Sequence, residues 1–276
     1  MEKTLPNRIP FTKLSATGND FILFERRSAG LHGDEYAFFQ RICARRTGIG
    51  ADGILLLEEH PEAHYRMRYY NADGRPSEMC GNGARAAAFY AFYTGMAPQE
   101  QHFVIGEDRL RAVVRGRQVA LTLQTPKQKR AAPGALQHPE FEEIGFAVTG
   151  VPHYVLETNH IDNIPVTELG RFYRHAEIFA PAGTNVNFVQ RLGERRFKIR
   201  TYERGVEAET LACGTGVVSS AYLLRDRLGV PFPYVFETQG GQLTVDEEAQ
   251  SGRPVLAGTV RMICRGEILT EFFEEP

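Results

Sequence analysis

Cys80-Gly81-Asn82-Gly83 and Cys213-Gly214-Thr215-Gly216 decide the fold, because each leads directly into a helical run. After the first, Ala84 to Tyr93 is rich in alanine and aromatics, the composition of a buried helix, and Gly95 can stop it. After the second, Val217 opens a comparable run. Working outward, Thr17-Gly18 ahead of Phe21-Ile22-Leu23 is answered by Thr149-Gly150 ahead of Tyr154-Val155-Leu156. Tyr70 before Asn71 is answered by Tyr202 before Glu203. The matched pairs are offset by 132, 132 and 133 residues. Three pairs in order at nearly one offset argue for a duplicated domain.

The remaining pattern alternates strands and helices. Phe21 to Phe24 suits a buried strand, and Arg66 to Tyr70 alternates as a strand does. Asp34 can cap a helix that carries Tyr36, Phe39, Ile42 and Cys43 on one face and ends at Gly48. Residues 103–123 read as strands broken at Gly106 and Gly116. The polar, proline-containing stretch Thr125 to Glu140 is the best linker candidate. The expected domains are therefore 1–126, with Cys80, and 141–276, with Cys213.

Composition narrows the function. With 276 residues, 42% hydrophobic and 24% charged, the chain is an ordinary folded protein. A net charge of −2 argues against nucleic acid or an anionic membrane as partner, and Arg45-Arg46 and Arg195-Arg196 read as solvated faces. The polar N-terminus lacks the apolar core of a leader, and no apolar run approaches the roughly 18 residues of a membrane span. Four cysteines in so long a chain are not a disulfide framework, so a cytoplasmic protein with free thiols is expected. There is no CxxC, and the eight histidines form no ligand-spaced cluster, so no metal is expected. Cys43 and Cys264 sit inside helix or strand patterns and read as packing residues.

Cys80 and Cys213 read differently. Glycines let a ligand approach the backbone closely, and the free N–H groups at a helix start hold an anion such as a carboxylate. The same field favours thiolate, lowering a cysteine pKa from about 8.5. Two such thiols related by duplication can lie on opposite faces of one substrate. One then removes a Cα proton while the other delivers a new one, inverting the centre without a pyridoxal cofactor. Their titrations are coupled, since activity needs one thiolate and one thiol.

Further motifs run nearly end to end: Ala16-Thr17-Gly18-Asn19-Asp20-Phe21, Gly48-Ile49-Gly50-Ala51-Asp52-Gly53, Asn71-Ala72-Asp73-Gly74, Met79-Cys80-Gly81-Asn82-Gly83-Ala84-Arg85, Pro152-His153, Gly183-Thr184-Asn185-Val186, Glu203-Arg204-Gly205 and Ala212 to Gly216. In these the sequence resembles the diaminopimelate epimerase family. The resemblance implies two pseudo-symmetric α+β domains, each a curved, mixed, barrel-like β-sheet around a central helix, with the substrate in the cleft between them. It implies epimerisation of L,L- to meso-2,6-diaminopimelate for lysine and peptidoglycan synthesis, with no cofactor and with a small molecule as partner, a homodimer being left open. Cys80 and Cys213 would be the acid–base pair. Gly81, Asn82, Gly214 and Thr215 would hold the reacting carboxylate, and Asn19 would lie near the reacting amino group. Asn71, Asn185, Glu203 and Arg204 would bind the remote centre, Arg204 taking its carboxylate and Glu203 its ammonium. His153 and Glu203 would tune the cysteines.

The chain departs from the family pattern in three places. Val151 stands where many members have Asn, Gly53 where some have Gln, and the Glu203-to-Cys213 loop is one residue longer than in some relatives. Two other readings compete. A proline or hydroxyproline racemase would share the thiols, but typically has His directly after Cys-Gly, where this chain has Asn82. A redox protein would use Cys80 and Cys213 as a disulfide switch.

Overall fold

The computed structural model describes residues 5–77, 80–131, 134, 136 and 138–272. Its early elements are β1 (Arg8–Ala16), β2 (Asn19–Glu25), α1 (Arg26–Ala29), α2 (Tyr36–Cys43), β3 (Gly53–Glu58), β4 (Tyr65–Asn71), β5 (Pro76–Ser77), α3 (Gly81–Tyr93), β6 (Glu100–Ile105), β7 (Asp108–Arg115) and β8 (Gln118–Thr122). Then come β9 (Lys127–Ala131), β10 (Glu142–Thr149), β11 (Val151–Glu157), α4 (Val166–Arg174), β12 (Asn185–Arg191), β13 (Arg196–Glu203), β14 (Ala208–Thr210), α5 (Gly214–Leu228), β15 (Tyr234–Thr238), β16 (Gly241–Glu247) and β17 (Pro254–Leu269). Two compact units result, Met1–Leu121 with Thr259–Pro276, and Thr122–Gly258.

In the first unit β17 pairs with β1, then β2, β3, β4, β6, β7 and β8 follow, and β8 returns to β17, which closes an eight-stranded barrel. The β2–β3 and β4–β6 pairs are parallel. Helix α3 packs against β1, β2, β3, β4 and β7, and every residue from Gly81 to Ala91 is buried. A helix enclosed on all sides cannot carry a polar face, and small side chains let strands approach it, which is why this run is alanine-rich. Phe21 to Phe24 are all buried because both faces of β2 are covered. Phe21 and Leu55 face α3 at Gly83, while Ile22, Phe24, Ile54 and Leu56 pack with Phe39 and Ile42 of α2.

The second unit repeats this plan. Strand order runs β9, β10, β11, β12, β13, β15, β16 and the start of β17, with β11–β12 and β13–β15 parallel. Helix α5 packs against β10, β11, β12 and β16, and α4 covers the other face at Tyr154, Phe188 and Tyr202. The register is conserved between the repeats. Phe21 pairs with Gly53 as His153 pairs with Asn185, both partners shifted by 132 residues. By the same shift, Ile54 opposite Tyr70 becomes Val186 opposite Tyr202.

The units differ from the expected 1–126 and 141–276 at their ends. The segment Thr259–Pro276 groups with the first unit because β17 continues along β1, from Ala16↔Val260 to Arg8↔Leu269. Closing that barrel requires a strand from the far end of the chain, a pairing that leaves no local signal. The linker stretch contains β9, paired with β10. Helix α2 also differs: Glu35, not Asp34, stands at its N-cap, and it ends at Ala44. Glu35 folds back to accept N–H bonds from His32 (2.6 Å) and Gly33 (2.8 Å), and Gly48 closes a separate turn on Ala44 O at 3.0 Å.

Candidate active site

Each unit presents a cysteine at the start of its central helix. Cys80 is the N-cap of α3 with φ −113° and ψ 110°, and Cys213 the N-cap of α5 with φ −112° and ψ 107°. Their carbonyls accept the first helical bonds, from Ala84 N–H at 2.8 Å and Val217 N–H at 3.0 Å. The main-chain donors at both helix starts are therefore presented in the same way to an anion. Both cysteines are partly buried residues, and neither is joined in a disulfide.

Around Cys80, the sulfur accepts a hydrogen bond from Gly83 N–H at 3.4 Å. Asn82 is buried, and its amide is held at both ends: Nδ2 donates to Asn19 Oδ1, and Oδ1 accepts from Arg85 Nη2. Asn19 Nδ2 in turn donates to Asp52 Oδ2 at 3.0 Å. Asp52 and Asp20 share Arg45 Nη2, at 2.6 and 2.9 Å, and Lys13 Nζ binds Asp20 Oδ2 at 2.6 Å. Burial opposes charge on Asp20, but Lys13 and Arg45 outweigh it and hold the carboxyl below its usual range. This ionic cluster fixes the β1–β2 turn that carries Asn19. Thr17 and Gly18 both have positive φ (49° and 90°), as a two-residue hairpin turn requires.

Around Cys213, Thr215 Oγ1 lies 3.5 Å from the sulfur and 3.0 Å from His153 Nε2. His153 is fully buried, and desolvation, with the Arg204 charge adding to it, pushes its pKa down to about 3. Its imidazole is therefore neutral. Glu203 accepts a hydrogen bond from Thr210 Oγ1 at 2.7 Å and also engages the Cys213 thiol. Burial, then the Glu203 charge, push that thiol well above its usual pKa, and the Thr215 hydrogen bond only partly offsets them. The expected helix-start depression of the pKa thus fails at Cys213, because desolvation and a neighbouring carboxylate exceed the dipole effect.

Of the other expected residues, Asn185 is buried; its Oδ1 accepts from Arg204 N–H at 2.8 Å and its Nδ2 donates to Pro152 O at 2.9 Å. It thereby ties together two segments the sequence nominated separately. Arg204 Nη1 reaches Ala182 O at 3.4 Å. Asn71 is exposed, and its carbonyl closes the Asn71–Gly74 turn by accepting from Gly74 N–H at 2.9 Å. At Gly53 a Cβ would stand 2.4 Å from Tyr70 O, which leaves no room there for a larger side chain. Cys43 is buried as expected, and burial raises its pKa to about 12. Cys264 is exposed instead of packed, in a stretch of β17 where Ile263, Cys264 and Arg265 are all exposed. Arg85, Asn187, Thr210 and Asp52 were given no role by the sequence, although Asn187 lies on the same strand face as Asn185. Among the described residues no cluster of His, Cys, Asp and Glu could hold a metal ion.

The diaminopimelate epimerase family profile matches residues 11–129 and 145–263, one copy in each repeat. The chain is 35% identical to the diaminopimelate epimerase of Aquifex aeolicus, over 96% of this chain and 99% of that protein. It is 39% identical to that of Chlorobaculum tepidum, over 92% and 99%. Among solved structures, a PhzF-family phenazine biosynthesis protein from Bacillus anthracis has a TM-score of 0.75 at 16% identity, covering 96% of this chain and all of that one. A hydroxyproline epimerase from Agrobacterium vitis has a TM-score of 0.67 at 14% identity, covering 95% and 92%. These two likenesses concern the fold alone. Duplicated curved sheets with cysteine-capped central helices and these sequence matches together define an epimerase, an isomerase that inverts one stereocentre. The chain belongs to the diaminopimelate epimerase family.

Proposed function

We propose that this chain interconverts L,L- and meso-2,6-diaminopimelate, with Cys80 and Cys213 as the proton-transferring pair, in the supply of lysine and peptidoglycan precursors. One observation carries the mechanism: in a chain of this family, both repeats set a cysteine at the N-cap of a buried helix with the same backbone dihedrals. The thiolate takes the Cα proton, the electron pair spreads into the α-carboxylate, and the opposite thiol protonates the other face. Main-chain donors at Gly81, Asn82, Gly214 and Thr215 hold that carboxylate as its charge grows. Asn19 lies against the reacting amino group, Asn71, Glu203 and Arg204 hold the distal centre, and Asn185 acts on that centre through Arg204. No helix among the described residues is long and apolar enough to cross a membrane. We place the reaction in the cytoplasm.

The test is exchange in D2O. Reduced enzyme with L,L-diaminopimelate should place deuterium at one Cα, and Cys80→Ala or Cys213→Ala should each abolish epimerisation while the protein stays folded. Near wild-type turnover in either variant, in both directions, would overturn the two-thiol mechanism.

A further inference from the structure

The duplication is broken beneath the two cysteines. Five residues past Cys80 stands Arg85, and five past Cys213 stands Val218. Both are fully buried. Conversely, the position of His153 in the second repeat is occupied in the first by Phe21. These substitutions sit beside the helix starts: a Cβ at Gly83 would be 3.6 Å from Phe21, and one at Gly216 would be 3.3 Å from His153 Nδ1. The first helix start therefore has a buried guanidinium and a phenyl ring beside it. The second has a neutral imidazole and a valine, with Glu203 at its side.

Arg85 is held by few partners for a buried cation. Its Nη2 donates to Asn82 Oδ1 and to Thr17 Oγ1, the latter at 3.2 Å. Its Nε and Nη1 are buried and have no hydrogen-bond partner among the described residues, and no carboxylate there pairs with it. A buried ion without a counter-charge is costly unless another group supplies one. The charge of Cys80 is the one that favours the ionised guanidinium, against the burial that pulls it down to about 10. That attraction is mutual.

We infer that Arg85 is the positioning residue of the first half-site, fixing the Asn82 amide and supplying the buried positive charge against which Cys80 rests as thiolate, while Cys213 rests as thiol. The pseudo-symmetric pair is thereby unequal before substrate arrives. Cys80 is the resting base, and the enzyme begins from a defined protonation state instead of two equivalent ones. The idea rests on the reading of Cys80 as a proton-transferring thiol.

Alkylation tests it without requiring turnover. Iodoacetamide labelling of Cys80 and of Cys213, each followed by mass spectrometry of its own peptide, gives a rate-against-pH profile for each thiol. In the unmodified enzyme the Cys80 midpoint should lie below about 8.5 and the Cys213 midpoint above it. Arg85→Gln keeps a donor toward Asn82 but loses the charge, and should raise the Cys80 midpoint by about one pH unit or more, slowing labelling at neutral pH about tenfold. Arg85→Lys keeps the charge and should restore most of the wild-type midpoint. A merely structural role would give Gln and Lys the same profile, which would overturn the inference. Should both variants fail to fold, a wild-type Cys80 midpoint equal to or above that of Cys213 overturns it alone. If the profiles behave as expected but Cys80→Ala still exchanges deuterium, the inference stands and the proposed mechanism falls. The converse result separates them the other way.

Discussion

His153 donates to Thr215: Nε2 lies 3.0 Å from Oγ1, and the direction of that bond is set by residues further in. Asn187 Nδ2 lies 3.2 Å from the Tyr154 carbonyl, which can only accept, so the amide's nitrogen end also faces His153 Nδ1, at 3.2 Å. Asn187 Oδ1 accepts from Thr201 Oγ1 at 3.0 Å, consistent with that orientation. Nδ1 is thus the accepting nitrogen of a neutral imidazole, and Nε2 carries the proton. With its lone pair engaged by Nε2, Thr215 is free to point its own hydrogen at Cys213 Sγ, 3.5 Å away. A buried strand pair sets the tautomer, and the tautomer orients the hydroxyl of Thr215, which favours the Cys213 thiolate.

This arrangement makes stability depend on pH. His153 titrates near 3 folded and near its ordinary 6.5 unfolded, so between these values the unfolded chain binds the extra proton. Its contribution is complete above pH 6.5 and is lost as the pH falls toward 3. Asp20, held below its usual range, adds a loss of the same sign at lower pH. His153→Phe, the residue found at the matching position in the first repeat, should remove the first of these components. Urea unfolding at pH 7 and pH 5 measures it: the variant should lose less stability between the two than the wild type does. Equal losses would mean that His153 is not buried neutral.

Glu203 raises the Cys213 pKa, so removing its charge has a definite sign. In Glu203→Gln the thiol should ionise at lower pH, and its alkylation at pH 8 should quicken severalfold. The alkaline fall in kcat, where the acid partner loses its proton, should move toward neutrality. Cys264 must first be changed to serine, because it is exposed and would dominate bulk thiol assays. An unchanged labelling rate at Cys213 would place the carboxylate out of range of the sulfur.

Gly216 lacks space for any side chain. A Cβ there would stand 2.3 Å from Asn187 Oδ1, the atom that accepts from Thr201. Gly216→Ala should therefore destabilise the second unit by about 1–3 kcal/mol, lowering the thermal midpoint by several degrees. At the first-repeat equivalent, Gly83, the nearest atoms to a Cβ would be side-chain carbons of Leu55, Cys80 and Phe21 at 3.0, 3.5 and 3.6 Å. Gly83→Ala should cost less. Thermal melts of the two variants give the comparison, and equal or reversed losses would refute it.

The repeat, the buried helices and both cysteines were legible because they rest on local signals: glycines next to cysteine, unbroken alanine runs, matched spacing. The crossing of β17 into the first unit was not legible, since strand partners as far apart as Arg8 and Leu269 leave no periodicity. Nor was the inequality of the two thiols, because it arises from which side chains face each helix start. The 132-residue offset matches Phe21 with His153, but only the structure shows that both lie beside a helix start. Glu35 displaced Asp34 at the cap of α2 for a similar reason, one of loop geometry and not propensity.

Asn185 links substrate grip to scaffold. Its amide holds Arg204 N–H at 2.8 Å and the Pro152 carbonyl at 2.9 Å, so it sets where the arginine side chain departs. Arg204 is proposed to neutralise the carboxylate of the centre that is not inverted, a charged hydrogen bond worth roughly 2 kcal/mol or more. Arg204→Met should raise KM for diaminopimelate on the order of 30-fold. Asn185→Ala should raise it by a similar factor, because Arg204 is then present but unguided. Since both changes remove one interaction, their effects should not multiply: the double variant should resemble Arg204→Met within a few-fold. Steady-state kinetics of the two single variants and the double variant complete the cycle. Multiplicative losses would show that Asn185 acts independently of Arg204, through a contact of its own with substrate.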